Sequence, residues 1–151
     1  MLIGLISDTH GLLRPAALKK LQGSDLIVHA GDVGRQDILD ELRGVAPLTV
    51  VRGNVDRDPW ADELPESYVL EVESKKLLVL HDLSSLHAGV LDNVDAVIYG
   101  HSHTPLIRRE GAVLYVNPGS AGPRRFKLPV SLGLLRIEAG RLGAQLLELE
   151  V

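Results

Sequence analysis

The order of apolar runs predicts an α/β protein made of two packed, mixed β-sheets with helices on the outside. Three observations carry this reading: strand-like runs alternate with amphipathic segments through the first half, closely spaced strand pairs fill the second half, and glycine- or proline-bearing turns separate them. The opening run, Leu2 to Ser7, reads as a buried strand. A helix is expected from about Pro15 to Gln22, a strand at Leu26 to His29, a second helix from about Gln36 to Arg43, and a strand from Leu48 to Arg52. That is a βαβαβ pattern. Gly23 and Gly44 fall just past the two helices, where a left-handed closing residue is wanted. In the second helix Ile38, Leu39 and Leu42 share one face while Asp37, Asp40 and Glu41 look outward, so the helices cover a sheet.

The second half changes character. Tyr68 to Val72 and Lys76 to His81 flank the turn Glu73-Ser74-Lys75, and Ala96 to Tyr99 follows. Leu106 to Arg109 and Val113 to Val116 surround Glu110-Gly111, and Leu132 to Ile137 and Leu142 to Leu149 surround Ala139-Gly140. Hairpins are expected to replace crossovers here, which gives a parallel first half and a meandering second half. The irregular stretch from Asp56 to Glu66, with Pro59, Trp60 and Pro65, is placed as a loop overhanging a site. At 151 residues with 45% hydrophobic side chains, the chain suits one domain over 1–151.

Composition removes several classes of function. A net charge of -4 and only 3% aromatic residues argue against a general nucleic-acid binder, which needs a basic face and stacking platforms. The absence of cysteine excludes disulfides, thiolate metal sites and a cysteine nucleophile, and fits a cytoplasmic location. The apolar start ends at Asp8 without a basic leader and is far shorter than a membrane span, so no membrane association is expected.

The chemistry lies at the strand ends. Five strand-like runs each finish in a residue able to bind a transition metal: Asp8 and His10, Asp32, Asn54, His81, then His101 and His103. Strand ends converge on one rim of a sheet, so the seven can meet around a pair of ions. Asp8 and His10 are two apart, which in an extended segment turns both to the same side, and His101 and His103 repeat that spacing. Gly11, Gly31, Gly53 and Gly100 stand beside these residues, where a missing side chain lets backbone come close to an ion or phosphate. Taken singly, Asp8 and Asp32 suit helix caps and His103 a surface loop; the recurrence of the pattern favours metal binding.

The strings Ser7-Asp8-Thr9-His10-Gly11, Ala30-Gly31-Asp32-Val33, Arg52-Gly53-Asn54-Val55-Asp56, Leu80-His81-Asp82 and Tyr99-Gly100-His101-Ser102-His103 resemble, in order, the motifs of the calcineurin-like metallophosphoesterase superfamily. Together with Asn117-Pro118-Gly119-Ser120 and the short length, they look like the compact phosphodiesterases of the YfcE type. The resemblance covers essentially the whole chain and implies a four-layer α/β/β/α sandwich. It further implies one ion on Asp8, His10 and His103, a second on Asn54, His81 and His101, and Asp32 bridging both, with Asp32, Asn54 and His101 counted as catalytic as well as ligating.

Two divalent ions opposed by two carboxylates keep about two positive charges for a hydroxide and a phosphate ester, and ions roughly 3.5–4 Å apart can share a hydroxide aimed in line at phosphorus. Imidazoles beside oxygen ligands favour transition metals, with manganese first and iron, nickel, cobalt or zinc as options. The expected substrate is a small phosphate ester. Arg14, Arg57, Asn117 and Ser120 are candidate phosphate contacts, with bracing of the ligands as the other role for Asn117 and Ser120.

The chain departs from the superfamily pattern twice. Val55 stands where a histidine often helps protonate the leaving group, and Asp82-Leu83 replaces the Gly-His that usually follows the fourth motif. Asp82 is then a candidate for orienting an imidazole. Asp56 is a candidate for site support; Arg124 and Arg125 could meet substrate phosphates but read first as solvated surface, His29 reads as a hydrogen-bonded core residue and His87 as helix surface. The alternative function is a protein-binding scaffold of weak catalytic power, like the retromer subunit of the same fold. A dinucleotide-binding unit is excluded because no G-x-G-x-x-G follows the first strand. Homo-oligomerisation through the apolar stretch from Leu128 to Leu135 is a further expectation.

Overall fold

The computed structural model describes residues 1–86, 89 and 93–151. Strand β1 (Leu2–Ile6) leads through helix α1 (Pro15–Leu21) to β2 (Leu26–His29), and through helix α2 (Gln36–Arg43) to β3 (Leu48–Val50). The three strands are parallel, with β1 between β2 and the late strand β9 (Ser131–Glu138); β10 (Arg141–Glu148) completes a five-stranded sheet in the order β10-β9-β1-β2-β3. The second sheet follows the order β4-β5-β6-β8-β7, from β4 (Ser67–Val72), β5 (Lys75–Leu80), β6 (Ala96–Ile98), β7 (Leu106–Glu110) and β8 (Val113–Asn117). Each sheet is thus mixed, as the sequence predicts.

Side-chain alternation along the strands decides what each face buries. Ile3 and Leu5 of β1 and Val28 of β2 turn towards Leu77 and Val79 of β5, Ile98 of β6 and Val116 of β8, forming one core between the sheets. The opposite face of the first sheet takes Leu21 of α1 and Ile38 and Leu42 of α2 against Ile6 and Ile27. The outer face of the second sheet presents Leu78, Leu80, Val97, Tyr99 and Tyr115, covered by Leu83 and Leu86. Among the described residues that outer layer holds one short 3-10 helix, Leu83–Ser85; His87 lies outside the described residues.

Four expectations are corrected. The second half is not a simple meander: β5, β6 and β8 run parallel and need crossovers, while β4 with β5, β7 with β8 and β9 with β10 are hairpins. The last two strands join the first sheet instead: β9 pairs antiparallel onto β1, with Leu2 opposite Arg136, and β10 pairs antiparallel onto β9. Within the stretch from Leu128 to Leu135, Val130, Leu132 and Leu135 are fully buried core side chains and so are not available to meet a second copy. Gly23 is left-handed as expected (φ +87°), but Gly44 keeps a right-handed helical φ of -69°. No helix among the described residues is long and apolar enough to cross a membrane.

Candidate metal centre

Parallel strands from both sheets end on a common rim. Asp8 and His10 follow β1, Asp32 follows β2, His81 follows β5, and His101 and His103 follow β6, so the rim draws on both layers. The backbone there is unusual: Asp8, His10, Asp32, His101 and His103 all have positive φ, between 45° and 72°. Such torsions are disfavoured for side-chain-bearing residues and gather where function over-determines the chain. They also correct the extended geometry expected for Asp8 and His10, which still meet, with His10 Nε2 3.7 Å from Asp8 Oδ1.

Both carboxylates are held by one oxygen and offer the other. Asp8 is fully buried; its Oδ2 accepts from Ser7 Oγ at 2.7 Å and from the His101 N–H at 3.2 Å. Its Oδ1 has no hydrogen-bond partner and lies 3.4 Å from His103 Nε2 and 3.9 Å from His81 Nε2. Asp32 Oδ1 accepts the Val55 N–H at 3.0 Å, while Oδ2 faces His81 Nε2 at 3.1 Å and His10 Nε2 at 3.5 Å. His81 Nδ1 donates to the Ala30 carbonyl at 2.8 Å, which leaves Nε2 as the ring's lone-pair nitrogen, buried and without a hydrogen-bond partner.

Two overlapping sets therefore converge: Asp8, His10 and His103, and Asp8, Asp32 and His81. A buried, unpartnered carboxylate oxygen beside lone-pair imidazole nitrogens is costly without a cation, and this donor set suits a divalent transition metal.

Titration follows the same geometry. Burial works to raise the Asp32 carboxyl, yet the His81 imidazole against its Oδ2, the Val55 N–H and the His10 imidazole outweigh it and lower its pKa to about 2. Burial works to lower His81, but the Asp32 carboxylate beside its Nε2, together with the Asp8 charge, raises it. His103 is lowered, by burial first, with Asp8 opposing and the Arg125 guanidinium and His10 adding to the fall.

Asn54 and His101 stand at the outer end of the cluster. The His101 ring meets that of His81 edge-on at 5.3 Å, is half-exposed, and has Nε2 3.8 Å from Asp82 Oδ2. Asn54 is exposed and lines, with Gly53, Arg57, His81, Asp82 and Ser85, a cleft of about 520 Å³. His101 and His103 diverge: the second joins Asp8 and His10, the first does not.

Of the expected phosphate contacts, only Arg57 lines this cleft, its Nε donating to the Asn54 carbonyl at 3.0 Å. The other three are braces. Asn117 is fully buried and donates to the Gly100 carbonyl and Ser102 Oγ; Ser120 is 2% exposed and donates to the Asp8 carbonyl at 3.0 Å; Arg14 Nε donates to the Gly122 carbonyl at 3.1 Å. The Asn117 amide, the Ser120 hydroxyl and Arg14 Nε are thus engaged with the loops that carry the ligands.

Two of the flanking glycines serve a purpose other than the one expected. A Cβ on Gly53 would strike Asp32, and one on Gly100 would strike Ser7 and Asp8, so both make room for carboxylates. Asp56 is 2% exposed and accepts from the N–H groups of Val33, Gly34 and Gly53, tying the Asp32 loop to the Asn54 loop. His29 is a core residue as read: Nε2 meets Thr9 Oγ1 at 3.0 Å and Nδ1 accepts the Gly31 N–H.

Residues 1–140 match the profile of the calcineurin-like phosphoesterase superfamily domain. The chain belongs to that superfamily. It is 36% identical to a probable metallophosphoesterase of Methanothermobacter thermautotrophicus, over 97% of this chain and 92% of the relative. It is 30% identical to the phosphodiesterase YfcE of Escherichia coli K12, over 85% of this chain and 84% of that protein. The fold is shared with wild-type Vps29 of Entamoeba histolytica complexed with Zn2+, at a TM-score of 0.77 and 23% identity, covering 98% of this chain and 99% of that one. Relative to the superfamily pattern, Val55 is 49% exposed and carries no titratable group, and Asp82 occupies the space beside His101.

Proposed function

We propose that this chain is a metal-dependent phosphoesterase, acting chiefly on phosphodiesters, that holds two divalent transition-metal ions on the rim shared by the sheets. The observation that carries the reading is the pair of buried, unpartnered atoms Asp8 Oδ1 and His81 Nε2 turned into one cluster with Asp32, His10 and His103. Asp8, His10 and His103 would hold one ion and Asn54, His81 and His101 the other, with Asp32 as a ligand available to both. When bound, such ions polarise the phosphoryl oxygens and bring the pKa of water towards neutrality.

The chain's own residues do the rest. Ser7 and the His101 N–H fix the Asp8 carboxylate, the Val55 N–H fixes Asp32, and the Ala30 carbonyl sets the His81 tautomer. Hydrolysis adds water across the ester: a new P–O bond forms from the water oxygen, the bond to the alkoxide breaks, and a proton passes to that alkoxide. Val55 cannot donate it, so solvent at the half-exposed His101 end does, with Asp82 steadying the ring. A partner-binding scaffold has no need of so many convergent donors, which favours the hydrolase over the scaffold. Manganese is the preferred ion, and the cytoplasm the place of work, in keeping with a chain lacking cysteine.

The test is turnover of bis(p-nitrophenyl) phosphate with added manganese, alongside metal analysis of the purified protein. Asp32→Ala and His101→Ala are expected to lose about a hundredfold or more in rate. Equal turnover by all three proteins refutes the proposal.

A further inference from the structure

A second cleft, of about 410 Å³, opens on the other side of the cluster, lined by His10, His103, Pro123, Arg124, Arg125 and Phe126. Its wall is built, not loose. The segment from Ser120 to Gly122 is anchored to the Asp8 loop by the Ala121 N–H on the Ser7 carbonyl, Ser120 Oγ on the Asp8 carbonyl, and Arg14 on Gly122. Gly122 lies so close to the Thr9 carbonyl that a Cβ there would collide with it.

What this wall presents is unexpected for an acidic protein. Phe126, the chain's single phenylalanine, is 89% exposed and holds a left-handed φ of 54°, so a large ring sits in water on a disfavoured backbone. Arg124 and Arg125 make no salt bridge among the described residues; Arg124 has one long hydrogen bond, to the Leu128 carbonyl at 3.5 Å. The cleft on the Asn54 side is the reverse. It contains the carboxylates of Asp62, Glu66 and Asp82; of its two arginines, Arg52 is paired with Glu66 at 3.0 Å and Arg57 donates to the Asn54 carbonyl, so carboxylates outnumber free cations there. A diester lying across the centre therefore meets an anionic cleft with one arm and a cationic, aromatic cleft with the other.

We propose that the Pro123–Phe126 cleft receives the nucleoside arm of a nucleotide-type phosphodiester bearing an additional phosphate, with Phe126 stacking on the base and Arg124 and Arg125 holding that phosphate. This names the substrate class of the centre and rests on the phosphoesterase reading. Guanidinium groups match phosphate geometry, and an exposed ring gives any base a face to stack on. The opposite orientation brings the additional phosphate against Asp62, Glu66 and Asp82.

Calorimetric titration of the manganese-supplemented protein with ADP and with ribose 5-phosphate tests this. Wild type binds ADP the more tightly. Phe126→Ala weakens ADP by about 5- to 100-fold, the size of one stacked base, and ribose 5-phosphate far less. Arg124→Ala combined with Arg125→Ala weakens both by about tenfold or more. Phe126→Trp restores ADP binding. Absence of saturable ADP binding by wild type, or equal ADP affinity in wild type and Phe126→Ala, overturns the proposal. Turnover of bis(p-nitrophenyl) phosphate by the same wild-type preparation reports separately. Turnover without Phe126-dependent ADP binding removes the subsite alone; Phe126-dependent binding without turnover removes the hydrolase reading and leaves the subsite in place.

Discussion

Five of the seven candidate ligands hold left-handed backbone torsions, a demand that Asp and His meet better than most side chains. Residue identity was legible in the sequence, down to the Asp-Thr-His and His-Ser-His strings. The torsions were not, because a period-two argument presumes extended backbone. Nor was the role of Asp56, whose carboxylate takes three backbone N–H groups from two loops that are remote in sequence. Asp56→Ala leaves one buried and two part-buried donors without their acceptor and is expected to lower stability by about 3 kcal/mol, read from urea unfolding. Asp56→Asn, which keeps one acceptor, is expected to lose less.

His29 gives a pH signature. Burial lowers its pKa from 6.5 to about 4, so between those values the unfolded chain takes up a proton that the folded chain refuses. Stability is full above pH 6.5, declines as the pH falls towards 4 and then levels, with a total on the order of 3 kcal/mol. Urea midpoints of metal-stripped protein across this range are expected to slope less in His29→Gln.

Among the elements, the strands that carry ligands were foreseeable and their neighbours were not. Apolar runs and turn residues placed β1, β2, β3 and the hairpin of β4 and β5 within a residue or two. The crossovers joining β5, β6 and β8, and the return of β9 to β1, depend on which edges are free when the chain comes back, and no local pattern encodes that. The glycines show how tightly the loops at these strand ends fit. Gly53→Ala puts a methyl group into Asp32, and an overpacked contact of this kind typically costs about 1–3 kcal/mol. The expected outcome is a lowered melting temperature together with weakened manganese binding, measured by calorimetry. Gly143→Ala, which meets nothing within 4 Å, is the comparison and is expected to keep its manganese affinity.

For the molecule as a whole, the centre draws Asp8 and Asp32 from one sheet and His81 and His103 from the other. Ions held there join the two layers, so manganese is expected to raise global stability by about 2.7 kcal/mol at a hundredfold excess over its dissociation constant. Thermal melts with and without a chelator measure this gain, and Asp32→Ala is expected to lose most of it. Val28 and Ile98, buried between the sheets, connect the same two layers without metal. The pairing of Leu2 with Arg136 has a consequence for biosynthesis. A ribosome releases β1 long before its antiparallel neighbour exists, so a nascent chain carries every motif of the centre while its founding strand still lacks a flank. Chains halted before residue 131 are expected to stay protease-sensitive however much manganese is present, and loading belongs to the finished polypeptide.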